Sequence, residues 1–300
     1  IDCHEHLQIE ADRRKREVDV LTLFSLYEYV DATSAGYEPR PGENLFVNNL
    51  FLDTSVPLKE RWEKAWPHLQ DVQYGSYCRA PMIALRDLYG IAELNDSTYA
   101  EASEKIRAAN KPGLYKSVLR DRCGIKTCLV QNGRIEGQVP YDLLTPVFVS
   151  MGWYQLTDPK FVTHIAEKKK VPITNLDEYL NVFGQELTEV RQKGAVACKI
   201  AAAPYVEPNM EGARKSFDAV LQGNPADPVL QATLLDFLLQ KAAEWDWPIC
   251  VHTGVWGDFR TLDPKHVIGL VMKHPKVRFD IYHLGMPFVR DCIFIAKSSP

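Results

Sequence analysis

The chain lacks the signals of several common protein classes. No apolar run approaches the roughly 18 residues of a membrane-spanning helix, and no signal peptide is evident. No Gly-x-Gly-x-x-Gly or Walker motif follows a predicted strand, which disfavours a doubly wound sheet that binds nucleotides. Because the sequence has no Cys-x-x-Cys pair, a structural zinc knuckle is not expected.

Charge and cysteine content narrow the class further. The 300 residues include 35 Lys and Arg against 39 Asp and Glu, a formal net charge of −4. This balance offers no positive field for nucleic acid or anionic lipid, so we expect neither partner. The seven cysteines are odd in number and mostly lie in apolar runs, which is typical of reduced thiols in a cytoplasmic protein.

Short apolar runs alternate with amphipathic stretches after residue 124. This rhythm is typical of parallel βα units whose helices cover a sheet. The predicted strands are 1–6, 125–130, 146–153, 195–200, 248–251 and 277–282. Repeated βα units at this length predict an α/β protein with a (β/α)8 TIM-type barrel. The last two βα units are expected to be missing, as in a fragment or a trimmed chain.

Residues 10–122 have the pattern of helices and loops, with no convincing strand. We predict a helical insertion between strands 1 and 2, within a single domain of residues 1–300. The predicted helices are 57–72, 76–89, 96–109 and 114–123. Pro67 should break or kink the first of them, and Asp96 is predicted to cap the third.

Two histidines stand on the opening strand, in Ile-Asp-Cys-His-Glu-His. Strand side chains alternate between faces, so His4 and His6 should point the same way, about 6–7 Å apart along the strand. Two imidazoles in this arrangement can share one divalent cation. The pair alone is weak evidence, so the rest of the chain must supply further ligands.

Three further residues of the right chemistry end other predicted strands. Lys199 ends the strand at 195–200, His252 follows the strand at 248–251, and His283 follows the strand at 277–282. Because chemistry in such barrels lies at the carboxyl ends of the strands, these positions predict a shared metal site. The other histidines lie in predicted helices or loops and are expected to be ordinary surface or capping residues: His68, His164, His266 and His274.

This order of residues resembles the amidohydrolase superfamily. That family has His-x-His on strand one, a lysine or another ligand on strand four, and histidines on strands five and six. The resemblance includes the endings Val-His-Thr-Gly and Tyr-His-Leu-Gly. The helical block, with Trp-x3-Trp-Pro and Leu-Tyr-Gly-Ile, is similar to the branch of amidohydrolase-2 and uronate-isomerase-like proteins.

The resemblance implies roles for the strand-end residues. His4, His6 and His252 would be metal ligands, and His283 a ligand or a catalytic group that orients the substrate. Lys199 would be either a carbamylated bridging ligand or an ammonium that pairs with a substrate carboxylate. The expected cofactor is a divalent metal, zinc first, with manganese or iron as alternatives. The family's strand-eight aspartate has no counterpart in this sequence.

Residues after the strand ends are candidates for substrate contacts. Arg260 is a candidate carboxylate clamp, and Trp256 precedes it in the same loop. Tyr205 follows Lys199 and is a third substrate-binding candidate. Strand alternation is expected to turn three cysteines away from the metal side, as packing residues rather than nucleophiles: Cys3, Cys198 and Cys250.

The main functional prediction is a metal-dependent hydrolase. It would use a metal-activated water molecule to attack a small, carboxylated substrate. One alternative is another reaction on the same barrel, either isomerisation of a uronate-type sugar acid or decarboxylation. A second alternative is a barrel without catalysis that serves as a binding protein. A homo-oligomer is the one macromolecular assembly that we expect.

Overall fold

The computed structural model divides the chain into two compact units. One unit contains Ile1–Leu7 and Ile125–Pro300, and the other contains Gln8–Gly124. The structure describes residues 2–131, 143–158, 160–254 and 258–298. In chain order the second unit falls between the first two strands. The assignment of residues 1–300 to a single domain stays a prediction.

The unit of residues 8–124 is helical in its described structure. Its elements are α1 (Glu10–Arg13), a 3-10 helix (Val20–Phe24), α2 (Tyr27–Ser34), α3 (Leu58–Val72), α4 (Ser76–Tyr89), α5 (Tyr99–Ala109) and a π-helical turn (Lys116–Arg122). All four predicted helices of this region are present. α4 has the predicted ends, 76–89, whereas the other three have shifted ends and the last of them is the π-helical turn. Trp62 stacks on Trp66 and on Tyr99, with ring centroids 4.5 and 4.7 Å apart, so these aromatic residues pack helices together.

Parallel strands and helices make up the other unit. The strands are β1 (Asp2–Glu5), β2 (Cys128–Val130), β3 (Leu144–Pro146), β4 (Phe148–Val149), β5 (Cys198–Ala201), β6 (Ile249–His252) and β7 (Phe279–Ile281). The helices are α6 (Met151–Gln155), α7 (Lys160–Lys169), α8 (Leu176–Gln192), α9 (Met210–Leu221), α10 (Pro228–Trp245), α11 (Val267–Lys273) and α12 (Val289–Ser298). The predicted α/β class with parallel strands is confirmed.

Strand order follows chain order throughout. One sheet has the order β1-β2-β3 and the other β4-β5-β6-β7, with every pairing parallel. A single extended segment carries both β3 and β4, because Val147 alone separates them. Among the described residues no strand pairing joins β7 to β1, so the sheets do not form a closed barrel.

The central strands β5 and β6 are buried on two sides. The helices cover one side, where Ile200 of β5 and Val251 of β6 pack with Leu234 and Leu238 of α10. A smaller buried cluster, called the inner cluster below, lies on the other side of the same strands. Its members lie on successive strands or directly next to them: Leu129 on β2, Val147 between β3 and β4, Ala197 before β5, Cys250 on β6 and Tyr282 after β7.

The long helices begin where the sequence provides a cap. Asn175 accepts a hydrogen bond from the backbone N–H of Glu178 at the start of α8. Asp227 does the same for Leu230 at the start of α10, where Pro228 occupies the first turn. These caps satisfy backbone donors that a helix leaves free at its N-terminus.

No helix in the described ranges has both the length and the apolar character needed to cross a membrane.

Candidate metal centre

Three histidines from three strand ends converge in the unit of parallel strands. His4 lies on β1, His252 is the last residue of β6, and His283 follows β7. One ring nitrogen of each lies within 4.8 Å of the others. The ring centroid of His283 is 4.9 Å from those of both His4 and His252. The strand ends therefore place three imidazole rings around one point.

A turn in an unusual conformation presents His283. β7 ends at Ile281, and the next residues form a short turn in which His283 has φ 60° and Leu284 φ 53°. Residues other than glycine seldom adopt this left-handed region, and they cost free energy there. Thr253 is fully buried, and its hydroxyl donates to the carbonyl of Tyr282 at 2.6 Å, which fixes the start of the turn against β6.

His6 lies beside this cluster but is not one of its three converging members. Its Nε2 lies 3.3 Å from Nε2 of His4. Two nitrogens bonded to one tetrahedral zinc ion lie about 3.3 Å apart, given Zn–N bonds of about 2.0–2.1 Å. The His4–His6 distance is therefore the one that two ligands of a single ion would have.

Lys199 points into the same cluster from β5. Lys199 is only 4% exposed, and its Nζ lies 2.8 Å from Nε2 of His4. The ammonium also lies over the ring of Tyr282, 5.6 Å from the centroid. Among the described residues no carboxylate forms an ion pair with it. A buried cation of this kind is costly unless an anion accompanies it.

Burial and the positive charge of Lys199 lower the pKa values of the clustered histidines and so favour their neutral form. Burial first, and then the charge of Lys199, lowers the pKa of His4 to about 3 and that of His252 to about 4. The same two causes lower the pKa of His283 and of His6, where a backbone hydrogen bond with Gln131 acts in the opposite direction. Burial lowers the pKa of Lys199 to about 8.

The donor set fits a divalent cation. Neutral imidazoles have the free lone pairs that bind metal ions. Nδ1 of His252 is buried and has no hydrogen-bond partner among the described residues. A buried nitrogen without a partner is costly in a protein interior, and coordination to a cation would satisfy it. The residues present are therefore suited to hold such an ion.

The predicted substrate contacts are not brought to this cluster by any described contact. Arg260 is exposed and forms a two-pronged hydrogen bond with Asp258, at 2.8 and 2.6 Å. The ring of Tyr205 packs against Gly269 of α11, and its hydroxyl donates to Glu207. Trp256 lies outside the described residues.

The expectation that three cysteines pack away from the metal side is wrong for two of them. Cys3 is exposed and so is not a packing residue. Cys250 lies in the inner cluster with Tyr282, on the same side of β6 as His252. Strand side chains repeat every two residues, so positions 250 and 252 share a face. Cys198 directly precedes Lys199 and packs instead among the residues that face the helices, as expected.

Tyr282 is the main site residue that sequence reasoning missed. Its ring stacks on that of His4, with centroids 4.2 Å apart and planes 20° apart. Its hydroxyl donates to the carbonyl of Cys3 at 2.8 Å and accepts from the side-chain amide of Gln131. The available signal was its place directly before His283, but strand alternation would put these two side chains on opposite faces.

The comparisons with known proteins add structural likeness. No protein-family model matches the chain, and no curated protein matches it. Uronate isomerase from Thermotoga maritima has a similar structure, with 15% identity, a TM-score of 0.74, and coverage of 100% of this chain and 74% of that one. For uronate isomerase from Bacillus halodurans the identity is 13%, the TM-score 0.70, and the coverage 99% and 69%.

A third similar structure is that of a Lactobacillus casei protein provisionally assigned as a metal-dependent hydrolase. It has 16% identity and a TM-score of 0.53, over 100% of this chain and 71% of that one. At such identities, the likenesses establish a shared α/β fold with parallel sheets and nothing finer.

Proposed function

We propose that this chain is a metal-dependent hydrolase of the amidohydrolase type that acts on a small, carboxylated substrate. The observation that carries the proposal is the convergence of His4, His252 and His283 within 4.8 Å, with Lys199 directly beside them. The likeness to uronate isomerases and to a provisionally assigned metal-dependent hydrolase agrees with a metal-dependent enzyme.

In this proposal the histidines hold the cation and Lys199 binds the substrate. The neutral nitrogens of His4, His252 and His283 form the ligand set, and His6 stands within reach of the same ion. A bound divalent cation, for which zinc is our first choice over manganese or iron, polarises a substrate carbonyl and lowers the pKa of a coordinated water molecule. Lys199 offers its ammonium to the substrate carboxylate, because no described carboxylate neutralises it.

We further propose that the parallel sheets belong to a (β/α)8 barrel. Strand order that follows chain order is the order of such a barrel and differs from that of doubly wound sheets. The inner cluster takes residues from successive strands, as a filled barrel interior does. The hydrogen bond from Tyr282 to the carbonyl of Cys3 brings the end of β7 to β1.

A uronate-type isomerase is the second candidate function. The structural likeness to two uronate isomerases favours it, since these proteins align with almost the whole chain. In that reaction the same histidines and Lys199 would hold a sugar acid by its carbonyl oxygen and carboxylate. Decarboxylation and a binding protein without catalysis remain the further alternatives.

One experiment separates these functions. The metal-free protein is reloaded with Zn²⁺, Mn²⁺ or Fe²⁺ and given amides and lactones, each with and without a carboxylate, together with a panel of uronates. We expect metal-dependent hydrolysis of the carboxylated members. Conversion of uronates without hydrolysis of any amide or lactone would replace the hydrolase with the isomerase. Failure to retain metal after reconstitution would favour the binding protein.

The remaining expectations stay proposals. The cytoplasm is the proposed location, because an odd number of scattered cysteines, mostly in apolar runs, is typical of reduced thiols. A small-molecule substrate, the absence of nucleic-acid and membrane partners, and a homo-oligomer stay predictions.

A further inference from the structure

Tyr282 is a member of the inner cluster and also contacts the ring of His4. It is 4% exposed, and its ring lies parallel to that of His4, with centroids 4.2 Å apart. Such a stack restricts the plane in which the imidazole of His4 can rotate. A metal ligand must present its nitrogen within a narrow range of directions, so a neighbour that fixes this plane affects the affinity.

The hydroxyl of Tyr282 fixes the strand that carries His4. It donates to the carbonyl of Cys3, the residue before His4, at 2.8 Å. The side-chain amide of Gln131 donates to the Tyr282 hydroxyl and, at 3.2 Å, to the same Cys3 carbonyl. The Tyr282 backbone is held in turn by the hydroxyl of Thr253, at the end of β6. The Tyr282 phenol thus connects β1 and the end of β2 to the end of β7.

We propose that Tyr282 is a positioning residue for His4: its ring sets the imidazole plane and its hydroxyl holds the β1 backbone, so that His4 faces His252 and His283. The consequence for metal binding rests on the proposed function, whereas the positioning of the His4 ring does not. The competing explanation is that Tyr282 only fills space in the inner cluster with Val147, Ala197 and Cys250.

Removing the hydroxyl while keeping the ring separates the two explanations. Tyr282→Phe loses the bond to Cys3 but still fills the space. Tyr179→Phe is the matched control, since Tyr179 is also buried and its hydroxyl donates to a backbone carbonyl, that of Trp153, at 2.7 Å. Tyr282→Phe also loses the bond that the hydroxyl accepts from Gln131, whereas Tyr179→Phe loses one hydrogen bond. Tyr282→Phe should therefore lower the melting temperature at least as much as Tyr179→Phe.

The first measurement is Co²⁺ binding to the metal-free protein, followed by calorimetry and by the visible spectrum of the bound ion. We expect the Kd for Co²⁺ to rise about tenfold or more in Tyr282→Phe, the usual effect of removing a partner that orients a ligand. The spectrum should change as well. Tyr179→Phe should leave both the Kd and the spectrum as in the unchanged protein. An unchanged Kd in Tyr282→Phe would overturn the proposal.

The second measurement needs no metal and so separates this proposal from the proposed function. The imidazole Cε1–H signal of His4 is identified by its loss in His4→Gln and then followed in the metal-free protein. It should shift or broaden in Tyr282→Phe and remain in place in Tyr179→Phe. If the unchanged protein binds no Co²⁺, the metal function fails while this signal still tests the positioning. A His4 signal that does not respond to Tyr282→Phe would show that the hydroxyl does not position His4, which overturns the proposal.

Discussion

Nζ of Lys199 lies 2.8 Å from Nε2 of His4, so these side chains share a hydrogen bond inside the histidine cluster. An ammonium donates here to the lone pair of a neutral imidazole. A metal ion bound at the same nitrogen would need that lone pair and would also repel the ammonium. In the proposed function Lys199 would then turn towards another acceptor, and the substrate carboxylate would be attracted by both positive charges.

Replacing Lys199 by methionine tests this role. Lys199→Met keeps a side chain of similar length and removes the charge. A hydrogen bond to a charged group contributes about 1.5–3 kcal/mol. We therefore expect KM for a carboxylated substrate to rise about tenfold or more. The uncharged analogue of the same substrate is the control, and its KM should change little. An equal rise for both substrates would show that Lys199 acts on the site and not on the carboxylate.

Elemental analysis of histidine variants tests the ligand set. His4→Gln, His252→Gln and His283→Gln should each lose most of the bound metal, because each removes one of three converging nitrogens. His6→Gln should retain metal with lower affinity. His164→Gln, at an exposed position of helix α7, is the control and should bind metal normally. If His283→Gln keeps its metal and loses turnover, His283 is the catalytic group and not a ligand.

The sequence predicted most strands of the fold because buried strands of parallel sheets are short and apolar. It was wrong for 146–153, where the strands end at Val149 and α6 begins at Met151. An apolar run does not distinguish a strand from a buried helix by periodicity alone. The hydroxyl and N–H of Ser150 both bond to the carbonyl of Lys199, which ends the strand there.

Tertiary contacts overrode two local signals in the helical unit. Pro67 does not break α3, whose apolar stripe includes the buried residues Trp62 and Leu69. Packing of that stripe holds the helix although proline removes one of its hydrogen bonds. Asp96 does not cap α5, because its carboxylate accepts from the indole N–H of Trp62 at 2.8 Å. Neither contact is visible from residues that are near in sequence.

The histidines and Lys199 could be found from sequence because each stands at a strand end, where parallel strands place their chemistry. Sequence reasoning could not predict the contact between Lys199 and His4, the turn that presents His283 or the stack of Tyr282 on His4. They depend on consecutive left-handed residues after β7, which cancel the alternation that sequence reasoning assumes.

Gly254 tests how closely the His283 turn is packed. Its φ is +101°, and a Cβ there would lie 3.3 Å from the carbonyl oxygen of Met286 and 3.7 Å from Cβ of His283. Gly254→Ala should therefore destabilise the protein by about 1–3 kcal/mol and weaken metal binding. Gly223→Ala is the matched control, because Gly223 has φ +96° and no atom within 4 Å of the new Cβ. It should lose similar stability with unchanged metal affinity. Equal metal affinity in both variants would show that the turn tolerates the contact.

Glu43 should make the helical unit sensitive to acid. Its carboxylate side chain is 0% exposed and accepts from the Tyr37 hydroxyl, the Leu50 N–H and both the N–H and the guanidinium of Arg40. Burial acts to raise the pKa of Glu43, but these hydrogen bonds outweigh burial and leave the pKa below its usual value. A carboxyl group with a lower pKa in the folded state stabilises that state above the pKa of the unfolded chain, about 4.3.

The stabilisation should be lost as the pH falls through the lower pKa of the folded state. Glu43→Gln should reduce the free energy of unfolding by about 1–3 kcal/mol at pH 7, as expected when buried donors lose a charged acceptor. The difference from the unchanged protein should shrink below about pH 4. Urea unfolding followed by circular dichroism at several pH values measures it. Glu63→Gln removes an exposed carboxylate on α3 and should have little effect at any pH. A difference for Glu43→Gln that is constant from pH 7 to pH 3 would show that the Glu43 charge is not what stabilises this network.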